Sequence, residues 1–237
     1  MRVRIACIVE GHGECASVPI LIRRIASRFD AGLAVQIPHP IRIPKSKLLK
    51  PGELERAVKL AAMRAGADGG ILIILDSDDD CPAQLAPDLL ARTRAARGDL
   101  PSAVVLPNRE FESWFLAAAE SLRGYRGFPE DLEAPAQPEA IRGAKEWLNQ
   151  RAAPGAYSAN VDQASLTGKF DLDSARRAPS FDKCYREAIR LLETLRGRAE
   201  GESTAWHGSD PERPCFLGLP LLLLLGSRGK VRKGGHI

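Results

Sequence analysis

The first clear pattern in the chain is a run of apolar, β-branched positions, Val3 to Val9 (VRIACIV), continuous as in a strand buried on both faces. It stops at Glu10-Gly11, and from Glu14 the apolar positions Val18, Leu21, Ile22 and Ile25 recur at spacings of three and four, which predicts a helix with Arg23, Arg24 and Arg28 on its solvent side. Leu33 to Ile37 fits a second strand, and the proline-rich stretch from Pro38 to Pro44 reads as a loop. Pro51 opens a helix through about Ala65 that Gly66 is placed to end. Gly70 to Leu75 (GILIIL) is the clearest strand and runs straight into Asp76-Ser77-Asp78-Asp79-Asp80. A helix from Pro82 to about Arg97, a short strand at Ala103 to Leu106 and a helix from Arg109 to Leu122 follow. Strands alternating with helices in this order predict an α/β domain with a mostly parallel sheet of about four strands flanked by helices.

Beyond residue 122 the pattern thins. Residues 123–138 are rich in glycine, proline and acids and read as a connection. Two amphipathic helices, near Pro138 to Arg151 and Ser180 to Leu195, are separated by a segment read as irregular that carries Lys169, Asp171 and Asp173. The expected organisation is a core at 1–122, a helical C-terminal appendage packed on it at 123–196, and an atypical, disordered tail at 197–237. That tail combines WHGSDPERP, a leucine run and a basic end, and it is assigned no function.

Composition narrows the class. A chain of 237 residues with 44% hydrophobic content can bury a sizeable core, and a net charge of +4 does not by itself announce a nucleic-acid binder. The five cysteines lack CxxC spacing and predict reduced thiols rather than a zinc site. The apolar run before Glu10 is too short for a signal peptide, and Phe216 to Leu225 falls well short of the roughly 20 residues of a membrane span. No membrane association and a cytoplasmic location are expected.

Two motifs carry chemistry. Glu10-Gly11-His12-Gly13-Glu14 joins the first strand to its helix, where backbone N–H groups are free and Gly11 and Gly13 let a phosphate approach; His12 fits a phosphate contact or proton shuttle. It lacks the GxxxxGKS/T pattern and is no P-loop. An ordinary turn with Glu14 in the first helical turn is the competing reading. Asp76, Asp78 and Asp80 follow a buried strand, and if the chain stays extended they project to one side. Crowded carboxylates repel one another unless a cation binds or a proton is taken up, and hard oxygen ligands favour Mg2+ or Mn2+. A solvated loop capping the next helix competes for Asp76 and Asp78 and is the better reading for Asp79. Both motifs end their strands in the same direction, where parallel α/β sheets place their sites, so Glu10, Asp76 and Asp78 are expected to share a divalent ion. Arg109, Glu110 and Glu112 enter a helix after the fourth strand and are expected to face the same edge; Lys169 and Asp171 could reach it, with a surface ion pair as the competing and commoner reading. Trp114 and Phe115 read as core.

Strand-EGxxE followed about 65 residues later by a hydrophobic strand and DxDxD resembles the Toprim domain of topoisomerases, primases and OLD-type nucleases. VEGHGE, LDSDDD, REFESWFLA and LTGKFDLDSARRAPSFDK are, more closely, similar to the DUF4276 family of small prokaryotic Toprim-like proteins, over approximately residues 3–195. The resemblance implies a Toprim-like, Rossmann-like fold and a Mg2+-dependent nuclease or phosphotransferase acting on DNA or RNA. In it Glu10, Asp76 and Asp78 are the catalytic, metal-holding acids and Glu14, Asp80 and Glu112 are candidates for a second ion; Gly11, His12, Gly13, Arg109 and Lys169 are the substrate contacts expected from the residues themselves. It also implies a separately encoded OLD/AAA-type ATPase partner in a defence or repair system, since the chain has no ATP-binding loop. A noncatalytic adaptor that keeps the fold is the alternative. A haloacid-dehalogenase-type phosphatase would carry DxDxT/V on its first strand, and a nucleotide-sugar transferase would leave the Glu10 motif unexplained.

Overall fold

Pleat parity sorts the strand residues into two apolar faces. Val3, Ile5, Cys7 and Val9 point to one side of β1 (Arg2–Val9) and Ala6 and Ile8 to the other; Leu72 and Ile74 oppose Ile71 and Ile73 in the same way on β4 (Gly70–Ile74). Both faces must therefore be covered. A computed structural model, which describes residues 1–153 and 158–206, shows how.

All pairings are parallel, in the order β2-β1-β4-β5, with β2 at Ala34–Gln36 and β5 at Ser102–Val105. A further strand, β3 (Ile41–Arg42), pairs with the end of β1 through Ile8↔Ile41 and Val9↔Arg42, so β2 and β3 form one interrupted edge against β1. The proline-rich stretch expected to be a loop is thus partly strand. Its consequence is positional: β3 carries the chain to the carboxyl edge of the sheet, where Ile43 N–H bonds to the Val9 carbonyl and a short helix α2 (Lys45–Leu48) begins.

Helices α3 (Glu53–Ala65) and α4 (Pro82–Ala96) cover the Ala6/Ile8 face. The opposite face is covered by α1 (His12–Phe29) together with elements from the second half of the chain, α5 (Ser113–Ala117), α6 (Ala144–Arg151), α7 (Ala159–Lys169), α8 (Leu172–Ala175) and α9 (Pro179–Trp206). Leu191, Leu192 and Leu195 of α9 join the same apolar cluster as β1 and β5. Gly70 shows how close this packing is, since a Cβ there would stand 2.9 Å from Leu191 Cδ1 and 3.2 Å from Leu195 Cδ1. The second half of the chain is therefore one of two helical layers sandwiching the sheet, and α9 runs ten residues past the point where the tail was expected to begin. The leucine run and basic end lie outside the described residues.

Two expected helices are broken. Arg109 has φ 67°, in the left-handed region, so helix formation after β5 waits until Ser113 and then tightens into a 3₁₀ turn at Ala119–Leu122. Gly143, at φ 72°, separates a 3₁₀ turn at Pro138–Ala140 from α6. Conversely, the segment read as irregular before Lys169 is α7, which packs along α1 with Leu166 and Phe170 buried. Trp114 and Phe115 are fully buried, in edge-to-face contact with Phe181 and Phe170 respectively. Among the described residues no helix is long and apolar enough to cross a membrane.

Candidate functional site

The register Val9↔Ile74 puts Glu10 and Asp76 on neighbouring strands at the carboxyl edge, one residue out of step. By parity Asp76 follows Leu72 and Ile74 toward the α1/α5 side, whereas Glu10 follows Ala6 and Ile8 toward the opposite side. The acidic edge is consequently built as two adjoining groups.

The inner group surrounds Asp76. Its Oδ1 accepts the backbone N–H of Phe111 at 2.9 Å. Glu112, with no exposed surface, accepts from Gln163 Nε2 at 3.2 Å and lies 3.5 Å from Lys145 Nζ. Glu14 uses both oxygens: Oε2 takes the Gly11 N–H at 2.5 Å, closing the start of α1, and Oε1 takes Gln163 Nε2 at 3.2 Å. Gly11 is needed for this, because a Cβ there would lie 2.3 Å from Glu14 Oε2. Gln163 in turn accepts from Ser17 Oγ at 3.1 Å, so one amide ties α1, α7 and the loop after β5 together. Burial, then the charges of Glu112 and Glu14, push the Asp76 carboxyl well above the ordinary carboxylate range, with Lys145 opposing. Burial raises Glu112 as well, against the pull of Lys145.

The outer group centres on Lys45. Its ammonium, on a side chain only 7% exposed, donates to the Ser77 carbonyl at 2.6 Å and to Asp78 Oδ2 at 2.9 Å, and pairs with Asp80 Oδ2 at 2.8 Å. Burial would lower the Lys45 pKa, but the bonds to Asp80 and Asp78 leave it raised. The Lys45 backbone N–H donates to Glu10 Oε1 at 3.2 Å, while Glu10 Oε2 is buried with no hydrogen-bond partner. Burial raises Glu10, and Asp78 and Glu14 add to this.

Asp78 reaches Lys45 because its backbone is not extended. At φ 50° it turns out of line with Asp76, correcting the expectation that Asp76, Asp78 and Asp80 project alike. The turn is clamped across the strands: Asp78 N–H donates to the Arg109 carbonyl at 3.0 Å, and Arg109 N–H donates to the buried Ser77 Oγ at 2.7 Å. Two left-handed residues thus hold each other in place, and such strain persists only where the surroundings fix it.

Six carboxylates (Glu10, Glu14, Asp76, Asp78, Asp80, Glu112) face this edge through the contacts above, against the ammonium groups of Lys45 and Lys145. Among the described residues, no three His, Cys, Asp or Glu side chains are set to hold a metal ion as they stand. The donor chemistry nevertheless fits a hard divalent cation: the acids supply only oxygen, one buried Glu10 oxygen is orphaned, and three of the acids hold their protons more tightly than usual.

Of the expected substrate contacts, Gly11, His12 and Gly13 lie at the start of α1, with His12 exposed, and Arg109 stands at the rim, its Nη1 3.3 Å from Asp79 Oδ1. Lys169 is not brought in. It is exposed in the last turn of α7, six residues and about 9 Å of helical rise beyond Gln163, at the end where Arg24 donates to the Thr167 and Phe170 carbonyls. Lys45, Lys145 and Gln163 are the residues that sequence reasoning missed. Leu166 and Phe170, four apart, were a signal for α7, whereas nothing local marks Lys45.

No curated protein and no solved structure matches the chain. A family model described as a domain of unknown function, DUF4276, matches residues 9–187, and the chain belongs to that family.

Proposed function

We propose that the chain is a Toprim-like, Mg2+- or Mn2+-dependent nuclease or phosphotransferase acting on nucleic-acid phosphodiesters, in the cytoplasm and alongside a separately encoded OLD/AAA-type ATPase of a defence or repair system. The observation that carries this reading is the acidic carboxyl edge itself, with the orphaned Glu10 Oε2 among acids drawn from the segments that follow β1, β4 and β5. The four described cysteines (Cys7, Cys15, Cys81, Cys184) are free thiols, in keeping with a reducing compartment. Glu10, Asp76 and Asp78 would hold the ion, with Asp80 of the outer group and Glu112 of the inner group, each already engaged by a lysine, as the candidates for a second; Glu14, with both oxygens engaged, serves as a wall. A bound ion would supply Lewis-acid polarisation of a phosphoryl oxygen and an activated water. The protein's own part is positional: the Ser77-Arg109 clamp fixes Asp78, and Phe111 N–H fixes Asp76.

One observation favours the adaptor reading, namely that the Lys45 ammonium already balances Asp78 and Asp80 without any metal. The test is cleavage of DNA and RNA with Mg2+ or Mn2+, with and without the ATPase. Activity that Asp76→Ala abolishes while the variant still melts cooperatively supports the enzyme. Purified protein that cleaves nothing under any of these conditions leaves the adaptor.

A further inference from the structure

Beside the acidic edge, three loops meet on a single exposed carboxylate. Asp79 Oδ1 lies 3.3 Å from Arg109 Nη1 and 2.9 Å from Arg142 Nη1, at a cavity of about 150 Å³ that Asp78, Glu110 and Gly143 also line. We propose that Arg109 and Arg142 are a phosphate clamp for a polynucleotide backbone, occupied in the free protein by the Asp79 carboxylate. This rests on the nucleic-acid reading above and names the residues that hold the substrate.

Three features distinguish the arrangement from a plain surface ion pair. Arg109 is held at the rim by a left-handed backbone (φ 67°) tied to Ser77 and Asp78, so its guanidinium, with a side chain 28% exposed, is presented from a fixed point beside the acidic edge. Two guanidiniums share one carboxylate oxygen, leaving unused donors that a phosphate with more acceptor oxygens would satisfy better, while the other two acids of the cavity, Asp78 and Glu110, are engaged by Lys45 and Lys145. A polyanion approaching six carboxylates is repelled, so arginines at the rim are what would hold it there. Asp79 and Arg142 are 76% and 69% exposed at their side chains, so exchanging one partner for a ligand opens no core.

The test is fluorescence anisotropy of labelled single-stranded DNA, duplex DNA and RNA of one sequence, in EDTA so that binding is separated from cleavage, with melting curves to confirm folding. Arg142→Gln is expected to weaken binding about three- to tenfold and to flatten the salt slope by about 0.7–0.9, the loss of one phosphate contact. Asp79→Asn is expected to tighten binding about three- to tenfold, and the gain should vanish in the double variant with Arg142→Gln. Additive effects would mean that only net charge matters and would overturn the clamp. So would the absence of binding by both wild type and Asp79→Asn. Neither result touches the metal-dependent cleavage by which the proposed function is judged.

Discussion

Replacing Lys45 by Met asks what the lysine does at the acidic edge. Methionine keeps the aliphatic stem of a side chain that is only 7% exposed and removes the charge. The bond to the Ser77 carbonyl, at 2.6 Å, belongs to the class of charge-assisted hydrogen bonds worth about 1.5–3 kcal/mol. The pairs with Asp78 and Asp80 count for less, about 0–1 kcal/mol each, because those carboxylates are 62% and 52% exposed. The expected loss in EDTA is about 2–4 kcal/mol, or a fall of roughly 4–16 °C in Tm for a chain of this size.

Magnesium should reverse it. An ion at 100 times its Kd adds about 2.7 kcal/mol to stability. In the wild type, an ion about 4 Å from the Lys45 ammonium would be opposed by on the order of 4 kcal/mol per unit charge at an effective dielectric of about 20. The Met variant should therefore gain more from Mg2+ than the wild type, and isothermal titration should show the tighter Kd. Differential scanning calorimetry across a Mg2+ series reads the first effect directly. Equal Mg2+ responses in the two proteins would show that Lys45 and the cation do not compete for one locus, and an unchanged Tm in EDTA would show that the ammonium balances nothing.

Three further outcomes follow from the same geometry. Asp76, Glu10 and Glu112 all bind their protons more tightly folded than unfolded, so stability from these groups is present below the ordinary carboxylate pKa of about 4 and is lost as pH rises through their raised folded values; Asp76→Asn, melted in EDTA across that range, should lose part of this decline, and a curve parallel to wild type would refute the assignment. Arg109→Gly removes a left-handed strain of about 1 kcal/mol while keeping the backbone bond to Ser77, so urea denaturation should show stability unchanged or raised by about that amount, and a loss of several kcal/mol would contradict the strain. Leu192→Ala, at a fully buried position of α9, should cost about 2–5 kcal/mol if that helix is a layer of the sandwich, whereas a change under about 1 kcal/mol would show that it contributes little to the core.

What the chain discloses locally and what it does not divide along physical lines. The four principal strands and α1, α3 and α4 were legible because their residues repeat with the period of the element, and Gly66 ends α3 at φ 81° where only its position had indicated it. Arg109 escaped because its left-handed backbone is imposed by Ser77 and Asp78 across the sheet, which no helical periodicity at 109–122 can register. The divergence of Asp78 from Asp76 has the same origin, and so does the division of the acids into two groups. Lys45 stood just past the Pro38 to Pro44 stretch read as loop, in residues to which no element was assigned; only the pairing of Ile41 and Arg42 with the end of β1 delivers it to Glu10. The carboxylates of the edge were therefore readable from two strand ends, while the cations that balance them arrive through long-range topology, Lys45 along β3 and Lys145 at the start of α6. That asymmetry bears on the chemistry. An acidic edge read without its lysines looks like a finished metal site, whereas with Lys45 in place it is a site in which a cation of the protein's own must be displaced, or must work beside the ion, before the proposed reaction begins.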